Sequence, residues 1–283
     1  MGVGQIVDVN GELDVEKIIS FIGAGSMGGA LARGVCAAAE QKKVAVYAPT
    51  KKNTLVISKD TGCLLAETLK DAVTDAKYVV LGMKPQVLPS ALKEILPYLK
   101  QGQIIVSIAA GIKLTAIEGI LAEQGLELPV IRVMPNTPAA IGKGVLLVAR
   151  SERTGEKDAL ELAELLKECG MVEHTSEKFL DLGSPVMGCS PAFVYMFIEA
   201  LADGGVKTGL TREKAQLWAA QAVLGSAAMV LESGKHPGEL KDAVCSPGGT
   251  TIAGIGALEE HGFRAAIIAA VNAANKRNEE LSK

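Results

Sequence analysis

Two glycine-rich stretches in this 283-residue chain have the residue types and spacing to hold anions. The first is Gly23-Ala24-Gly25-Ser26-Met27-Gly28, a G-x-G-x-x-G run. It follows the apolar stretch 18–22, which reads as a buried strand, and opens the Ala-rich stretch 26–40, which reads as a helix. In that setting Gly23 permits a tight turn, Gly25 lets the backbone approach a pyrophosphate, and Gly28 lets helix and strand pack closely. The helix N-terminus then turns its N–H groups toward the phosphates. The second stretch is Ser246-Pro247-Gly248-Gly249-Thr250-Thr251, a turn that opens another helix. Successive N–H groups from Gly248 to Thr251 would form an anion nest, reinforced by the helix dipole. The hydroxyls of Ser246, Thr250 and Thr251 add donors and acceptors. A small substrate carrying a carboxylate suits such a nest, and an ordinary helix cap after a glycine turn suits the same residues equally well.

The end of the second strand decides which dinucleotide is bound. An acid there would bind the ribose hydroxyls and repel a 2′-phosphate. After the strand 44–48 the chain reads Pro49-Thr50-Lys51-Lys52-Asn53, a hydroxyl and two ammonium groups with no carboxylate. That favours NADPH, with NADH the weaker alternative; the other reading is a solvated lysine pair on a surface loop. Ligands of open parallel sheets lie beyond the carboxyl ends of the strands. Met83-Lys84-Pro85 and Ala109-Ala110-Gly111 fall at such ends and would line the path toward the nicotinamide. Met134-Pro135-Asn136-Thr137-Pro138 is a stiff double-proline turn, read either as structural, with a cis peptide, or as a ligand contact.

The elements that must position these residues follow from the hydrophobic pattern. Strands over 18–22, 44–48, 78–83, 103–108, 130–133 and 145–149 alternate with helical segments over 26–40, 88–99 and 114–122. An amphipathic segment over 156–169 and a short apolar run over 171–174 follow. Such alternation predicts a doubly wound α/β Rossmann domain, a parallel sheet with helices on both faces. After about residue 175 the strands stop, and 193–209, 212–233, 250–261 and 263–281 read as helices. The organisation expected is a polar, loosely ordered lead over 1–16, a dinucleotide-binding domain over 17–175 and an all-α domain over 176–283. From Trp218 to Met229 the second of these helices is apolar around most of its circumference. Such a helix is buried on all sides. One protomer's helices cannot achieve that alone, so a homodimer is expected.

Composition removes several function classes. With 29 Lys plus Arg against 32 Asp plus Glu the net charge is −3, which excludes a strongly basic nucleic-acid binder. Mean hydropathy is +0.27, yet the most apolar stretch, 218–231, is broken by Gln221 and Ser226 and is shorter than the roughly 20 residues of a membrane span. The start of the chain shows no secretory pattern, and Ile6 breaks the myristoylation pattern. Five scattered cysteines without a CxxC pair fit a reducing cytoplasm, and histidines 174, 236 and 261 match no metal-ligand spacing.

The run over 236–259, HPGELKDAVCSPGGTTIAGIGALE, closely resembles the signature of pyrroline-5-carboxylate reductases. FIGAGSMGGALARG near the start, MKP at 83–85, RVMPNTP at 132–138 and EALADGGVKTGL at 199–210 resemble the same family in the same order. The resemblance covers the chain from about residue 18 to its end. It implies NAD(P)H-dependent reduction of 1-pyrroline-5-carboxylate to proline, and a Rossmann domain followed by an all-helical dimerisation domain. It also implies dimers that interlock through the helices and stack into decamers. The resemblance places substrate contacts at Ser246, Gly249, Thr250 and Thr251, and cofactor contacts at Ala24, Ser26, Met27, Thr50, Lys52, Met83, Lys84 and Ala110. Glu177 aligns with a further ligand-contact position. Gly188-Cys189-Ser190-Pro191 departs from the usual Gly-Ser-Gly-Pro or Gly-Ser-Ser-Pro, and Cys189 reads as a packing residue.

The mechanism expected places the carboxylate of a cyclic imine in the Gly248–Thr251 nest and the Thr251 hydroxyl against the ring nitrogen. A protonated imine is already electrophilic, and no general acid is assigned. Two other readings stay open from the residues alone. One is a 3-hydroxyacid dehydrogenase-like NADP oxidoreductase using Lys178 or Lys207, neither of which sits in a glycine-containing motif of the kind that class uses. The other is a non-catalytic NADP-binding sensor, which leaves the SPGGTT loop unexplained.

Overall fold

In the computed structural model, which describes residues 17–281, the apolar runs of the N-terminal part form an eight-stranded sheet with order β3-β2-β1-β4-β5-β6-β7-β8. The lead over 1–16, expected to be loosely ordered, lies outside the described residues. The strands are β1 (Lys17–Ile22), β2 (Val44–Tyr47), β3 (Leu64–Leu65), β4 (Ala76–Leu81), β5 (Ile104–Ser107), β6 (Val130–Pro135), β7 (Gly144–Arg150) and β8 (Gly170–His174). Helices α1 (Ser26–Ala38), α2 (Lys51–Thr61), α3 (Leu69–Val73), α4 (Leu88–Ile95), α5 (Leu114–Ala122), α6 (Glu156–Leu166) and α7 (Glu177–Ser184) connect or follow them.

The central strands are apolar on both faces, as a sheet covered on both sides requires. Ile19, Phe21, Tyr78, Val80, Ile104 and Val106 point into one core with Leu31, Val35 and Leu162 of α1 and α6. Ile22, Val79, Leu81 and Ile105 point into the other, with Leu92, Ile95 and Ile117 of α4 and α5. The order 3-2-1-4-5-6 with parallel pairing is the Rossmann arrangement. The sheet is not parallel throughout, however: β7 runs antiparallel to β6, with Val133 opposite Val148. Only the 3₁₀ turn Thr137–Ile141 separates these strands, too short for the crossover that a parallel pair needs. β8 then returns parallel to β7 after α6. The hydrophobic pattern also passes over α2, β3 and α3. They are short and mostly polar on their exposed sides, and Leu64 is itself exposed.

Among the described residues one compact unit runs to Gly188 and takes in 277–281, and a second spans Cys189–Lys276. The break in composition at 175 and this division differ by α7, whose Leu180 packs with Leu147, Ala149 and Met187 over the sheet. The returning segment is tied to the first unit by Asn278, whose Nδ2 donates to the Asp181 carbonyl (3.3 Å).

The second unit is helical: α8 (Ser190–Lys207), α9 (Arg212–Ser233), α10 (Pro237–Ala243), α11 (Thr250–Glu260) and the first part of α12 (Phe263–Leu281). Small residues bring α8 and α9 together. Ala202, Ala215 and Ala219 are buried there, flanked by Ile198, Val206 and Leu210. The larger side chains point outward: Met196 is 69% exposed, Trp218 55% and Leu231 81%. Among the described residues the helical run that meets the length and composition of a membrane span is Glu177–Lys207, a different stretch from 218–231, the most apolar by sequence and too short to span. A helix whose apolar face is covered by another subunit has the same composition.

Candidate functional site

The glycine turn after β1 is a meeting of backbones. Gly23 has φ +101°, and its N–H donates to the Tyr47 carbonyl (2.8 Å), while the Gly82 N–H donates to the Ile22 carbonyl (2.8 Å). A Cβ on Gly28 would stand 2.3 Å from the Gly23 oxygen, as would one on Gly82; one on Gly23 would stand 2.8 Å from the Gly82 carbonyl carbon. Helix α1 can therefore start this close to the ends of β1 and β4 only with glycine at all three places. Gly25 differs: it is the N-cap of α1, and nothing lies within 4 Å of where its Cβ would be. No side chain caps α1, and its first turn holds no acid, so the uncapped N–H groups face an open cradle beside Ala24, Ser26 and Met27. That donor set and that space fit a pyrophosphate.

Thr50 is the N-cap of α2, its hydroxyl making no capping bond, and Lys51 and Lys52 occupy the first turn, again with no acid. Their positions at the carboxyl end of β2 fit a ribose 2′-phosphate. The two lysines are not equivalent. Lys51 Nζ pairs with Glu67 Oε2, whereas Lys52 forms no ion pair among the described residues. The sequence expectation concerns only the end of β2 and leaves its neighbour unread. The end of β2 has none, but β3 delivers one from alongside, the Ala66 N–H donating to the Val46 carbonyl (3.1 Å) just before Glu67.

Met83, Lys84 and Pro85 leave the carboxyl end of β4. The Lys84 carbonyl accepts from the Val87 and Leu88 N–H groups (2.9 and 3.1 Å) and so starts α4, leaving its ammonium exposed. Ala110 leaves the adjacent β5. The Ala109 N–H donates to Ser107 Oγ (3.3 Å), and Gly111 turns the chain with φ +76°. The two loops stand side by side, as β4 and β5 do. The turn over 134–138 is held by Asn136. Asn136 Nδ2 donates to the Met187 carbonyl (2.8 Å), and its Oδ1 accepts from the Val145 N–H (2.9 Å). The cis peptide that accompanies the structural reading of this turn is absent among the described residues.

Glu177 lies in a charge cluster that the sequence did not announce. Arg132, buried in the middle of β6, spans two carboxylates of α7: Nη1 reaches Glu177 Oε1 (2.7 Å) and Nη2 reaches Asp181 Oδ1 (2.9 Å). Lys113 also pairs with Asp181 (3.2 Å), and Glu177 Oε1 accepts from the Leu114 N–H at the start of α5 (2.7 Å). Glu177 therefore caps α5 and neutralises a buried guanidinium, and both tasks fix it in place. An arginine in an otherwise apolar strand, with acids four residues apart on a later helix, was the available signal. Among the thiols, burial pushes Cys169 up to about 11, and Cys189, expected to pack, is exposed.

In the helical unit, the Ser246–Gly249 turn closes with a bond from the Gly249 N–H to the Ser246 carbonyl (3.0 Å). Gly248 has φ +67°, which a side chain would strain. Gly249 is the N-cap of α11, and no side chain caps that helix. Thr250 and Thr251 lie in its first turn and are exposed, so their hydroxyls and the adjoining N–H groups are available to an anion. The alternative, that the threonines serve as the helix cap, is not what the structure displays: the capping position belongs to Gly249.

Residues 177–281 match the family model for pyrroline-5-carboxylate reductase dimerisation, and residues 18–111 match the model for NADP oxidoreductase, coenzyme F420-dependent. The pyrroline-5-carboxylate reductase of Escherichia coli K12 is 40% identical over 271 residues, covering 95% of this chain and 100% of that protein. Pyrroline-5-carboxylate reductase 3 of Rattus norvegicus is 40% identical over 274 residues, covering 96% and 98%. Among solved structures, that of the Plasmodium falciparum pyrroline carboxylate reductase with NADP bound has a TM-score of 0.84 at 32% identity, covering 95% of this chain and 100% of that one. A pyrroline-5-carboxylate reductase from Coxiella burnetii has a TM-score of 0.86 at 29% identity, covering 95% and 99%.

Proposed function

Because the chain belongs to the pyrroline-5-carboxylate reductase family, we propose that it reduces the C=N bond of 1-pyrroline-5-carboxylate to give L-proline, the last step of proline biosynthesis. Bound NADPH supplies the hydride. The Gly23–Gly28 turn and the N-terminus of α1 hold the pyrophosphate, and Thr50 and Lys52 hold the 2′-phosphate. Met83, Lys84, Pro85 and Ala110 line the nicotinamide path beyond β4 and β5. The Gly248–Thr251 nest grips the substrate carboxylate, with Ser246 bracing the turn, and the Thr251 hydroxyl orients the ring nitrogen. The substrate imine carries its own proton, so these residues position it rather than protonate it. No step is assigned to Glu177, which is engaged with Arg132 and the Leu114 amide.

The observation that carries this reading is a shared one: two helices, α1 and α11, begin uncapped behind glycine turns, each ready for one anionic group. The functional assembly is a homodimer through the helical unit, alone or as the building block of a decamer, and the outward apolar side chains of α8 and α9 support the dimer contact. A cytoplasmic setting is supported by five free cysteines.

The test is NADPH oxidation by the purified protein with racemic pyrroline-5-carboxylate, run beside NADH and beside 3-hydroxyacids with NADP⁺. Turnover of the imine with NADPH preferred is the expected result. Thr251→Val should lower kcat/KM by about 10- to 100-fold, the cost of one hydrogen bond to a charged reacting group, with NADPH affinity nearly unchanged. Equal loss of both, or loss of neither, would remove Thr251 from the site.

A further inference from the structure

We infer that Glu67 moderates the cofactor preference, by holding Lys51 out of the 2′-phosphate site and placing a carboxylate beside the adenosine ribose. The inference rests on the reading that puts the 2′-phosphate at the N-terminus of α2. Parallel pairing of β3 with β2, extended by the Ala66 N–H to Val46 carbonyl bond, brings Glu67 level with the turn after β2. There its carboxylate takes the Lys51 ammonium. Both side chains are about half exposed or more, at 46% and 66%, so the pair sits at the surface where an incoming phosphate would meet its field.

The chemical consequence has two parts. One of the two positive charges at the start of α2 is cancelled before any ligand arrives. A phosphate is then held by Lys52, the Thr50 hydroxyl and the α2 amides alone. In addition, a carboxylate at this end of the sheet repels a 2′-phosphate and accepts from ribose hydroxyls, the part an acid on the second strand plays in NAD-binding folds. Here that acid comes from just beyond the third strand. Glu67 therefore moderates a preference for NADPH that Lys52 creates, and keeps NADH usable.

The test is titration calorimetry of the full-length protein with NADP⁺ and with NAD⁺, for the wild type and for Glu67→Gln, Lys51→Gln and Lys52→Gln. Glu67→Gln should tighten NADP⁺ by about three- to tenfold and leave NAD⁺ the same or weaker, an effect that fades as salt screens it. Lys51→Gln should weaken NADP⁺ by less than about threefold, because its charge is already matched, and Lys52→Gln by about tenfold or more. Weaker NADP⁺ binding in Glu67→Gln would show instead that the pair aims Lys51 at the phosphate, and would overturn the inference; so would an unchanged ratio of the two affinities. An unaltered NADP⁺ affinity in Lys52→Gln would overturn the placement of the phosphate itself, and the inference with it.

Discussion

Ile19, Phe21, Tyr78, Ile105 and Leu146 of the sheet unit are closed off from solvent, whereas Tyr195, Met196, Leu217, Trp218 and Leu224 of the helical unit, side chains of similar size, are exposed. The buried residues where α8 and α9 meet are the alanines 202, 215 and 219. A fully buried large apolar side chain contributes roughly 1.5–3 kcal/mol, and the methyl of an alanine far less. The sheet, covered by helices on both faces, makes its own interior from one copy of the chain. The helical unit buries its small residues within the protomer and leaves its large ones exposed. The parts of the proposed site divide the same way: the Gly23–Gly28 turn sits in the unit with its own large core, and the Ser246–Thr251 turn in the unit without one.

The sharpest way to break this comparison is Trp218→Asp. On an ordinary surface such a change would alter stability by about 0.5 kcal/mol at most. At a buried subunit contact it should cost about 2 kcal/mol or more, roughly a 30-fold weaker dimer, visible in sedimentation velocity as dissociation with concurrent loss of activity. A variant that sediments and turns over like the wild type would mean that Trp218 faces solvent in the assembly.

Gly28→Ala tests the opposite unit. Its Cβ would meet the Gly23 oxygen at 2.3 Å, and both partners are backbone. A loss of about 1–3 kcal/mol is expected, with NADP⁺ binding abolished in titration while the oligomer persists. If the oligomer dissociates together with cofactor binding, the two units are not independent in the way their cores indicate.

Gly34→Ala gives the smallest effect. Its Cβ would fall 2.2 Å from Cys169 Sγ, the end of a side chain rather than backbone. About 1 kcal/mol of destabilisation is expected, and Cys169→Ala in the same chain should recover part of it in a double-mutant cycle by thermal melting. Simple additivity would show that the sulfur yields without cost.

The same contrast explains what could be read from the sequence. The G-x-G-x-x-G run is legible because backbone crowding at Gly23, Gly28 and Gly82 leaves glycine no substitute, and the strands around it because two-sided burial demands continuous apolar runs. β7 was legible as a strand, but its direction depends on a turn of a few residues, which hydrophobicity does not encode. α2 and β3 were not legible, being short and largely exposed, and Glu67 went unnoticed with them. Arg132 escaped for another reason. A buried guanidinium makes sense only with Glu177 and Asp181 opposite it, and these come 45 and 49 residues later in the chain.

The bond from Asn278 to the Asp181 carbonyl makes the first unit discontinuous, and this orders events during synthesis. Chains fold as they emerge, N-terminal parts first. The sheet and α7 emerge first, and the segment over 277–281 that completes their unit follows only after the whole second unit. Everything between, including the apolar helices α8 and α9, emerges into a cell where the sheet already stands and the closing strap does not yet exist. The interval during which those helices can meet the wrong partner therefore lasts at least until residues 277–281 have emerged. A truncation just before residue 277 would prolong it indefinitely, in a protein whose sheet is otherwise intact.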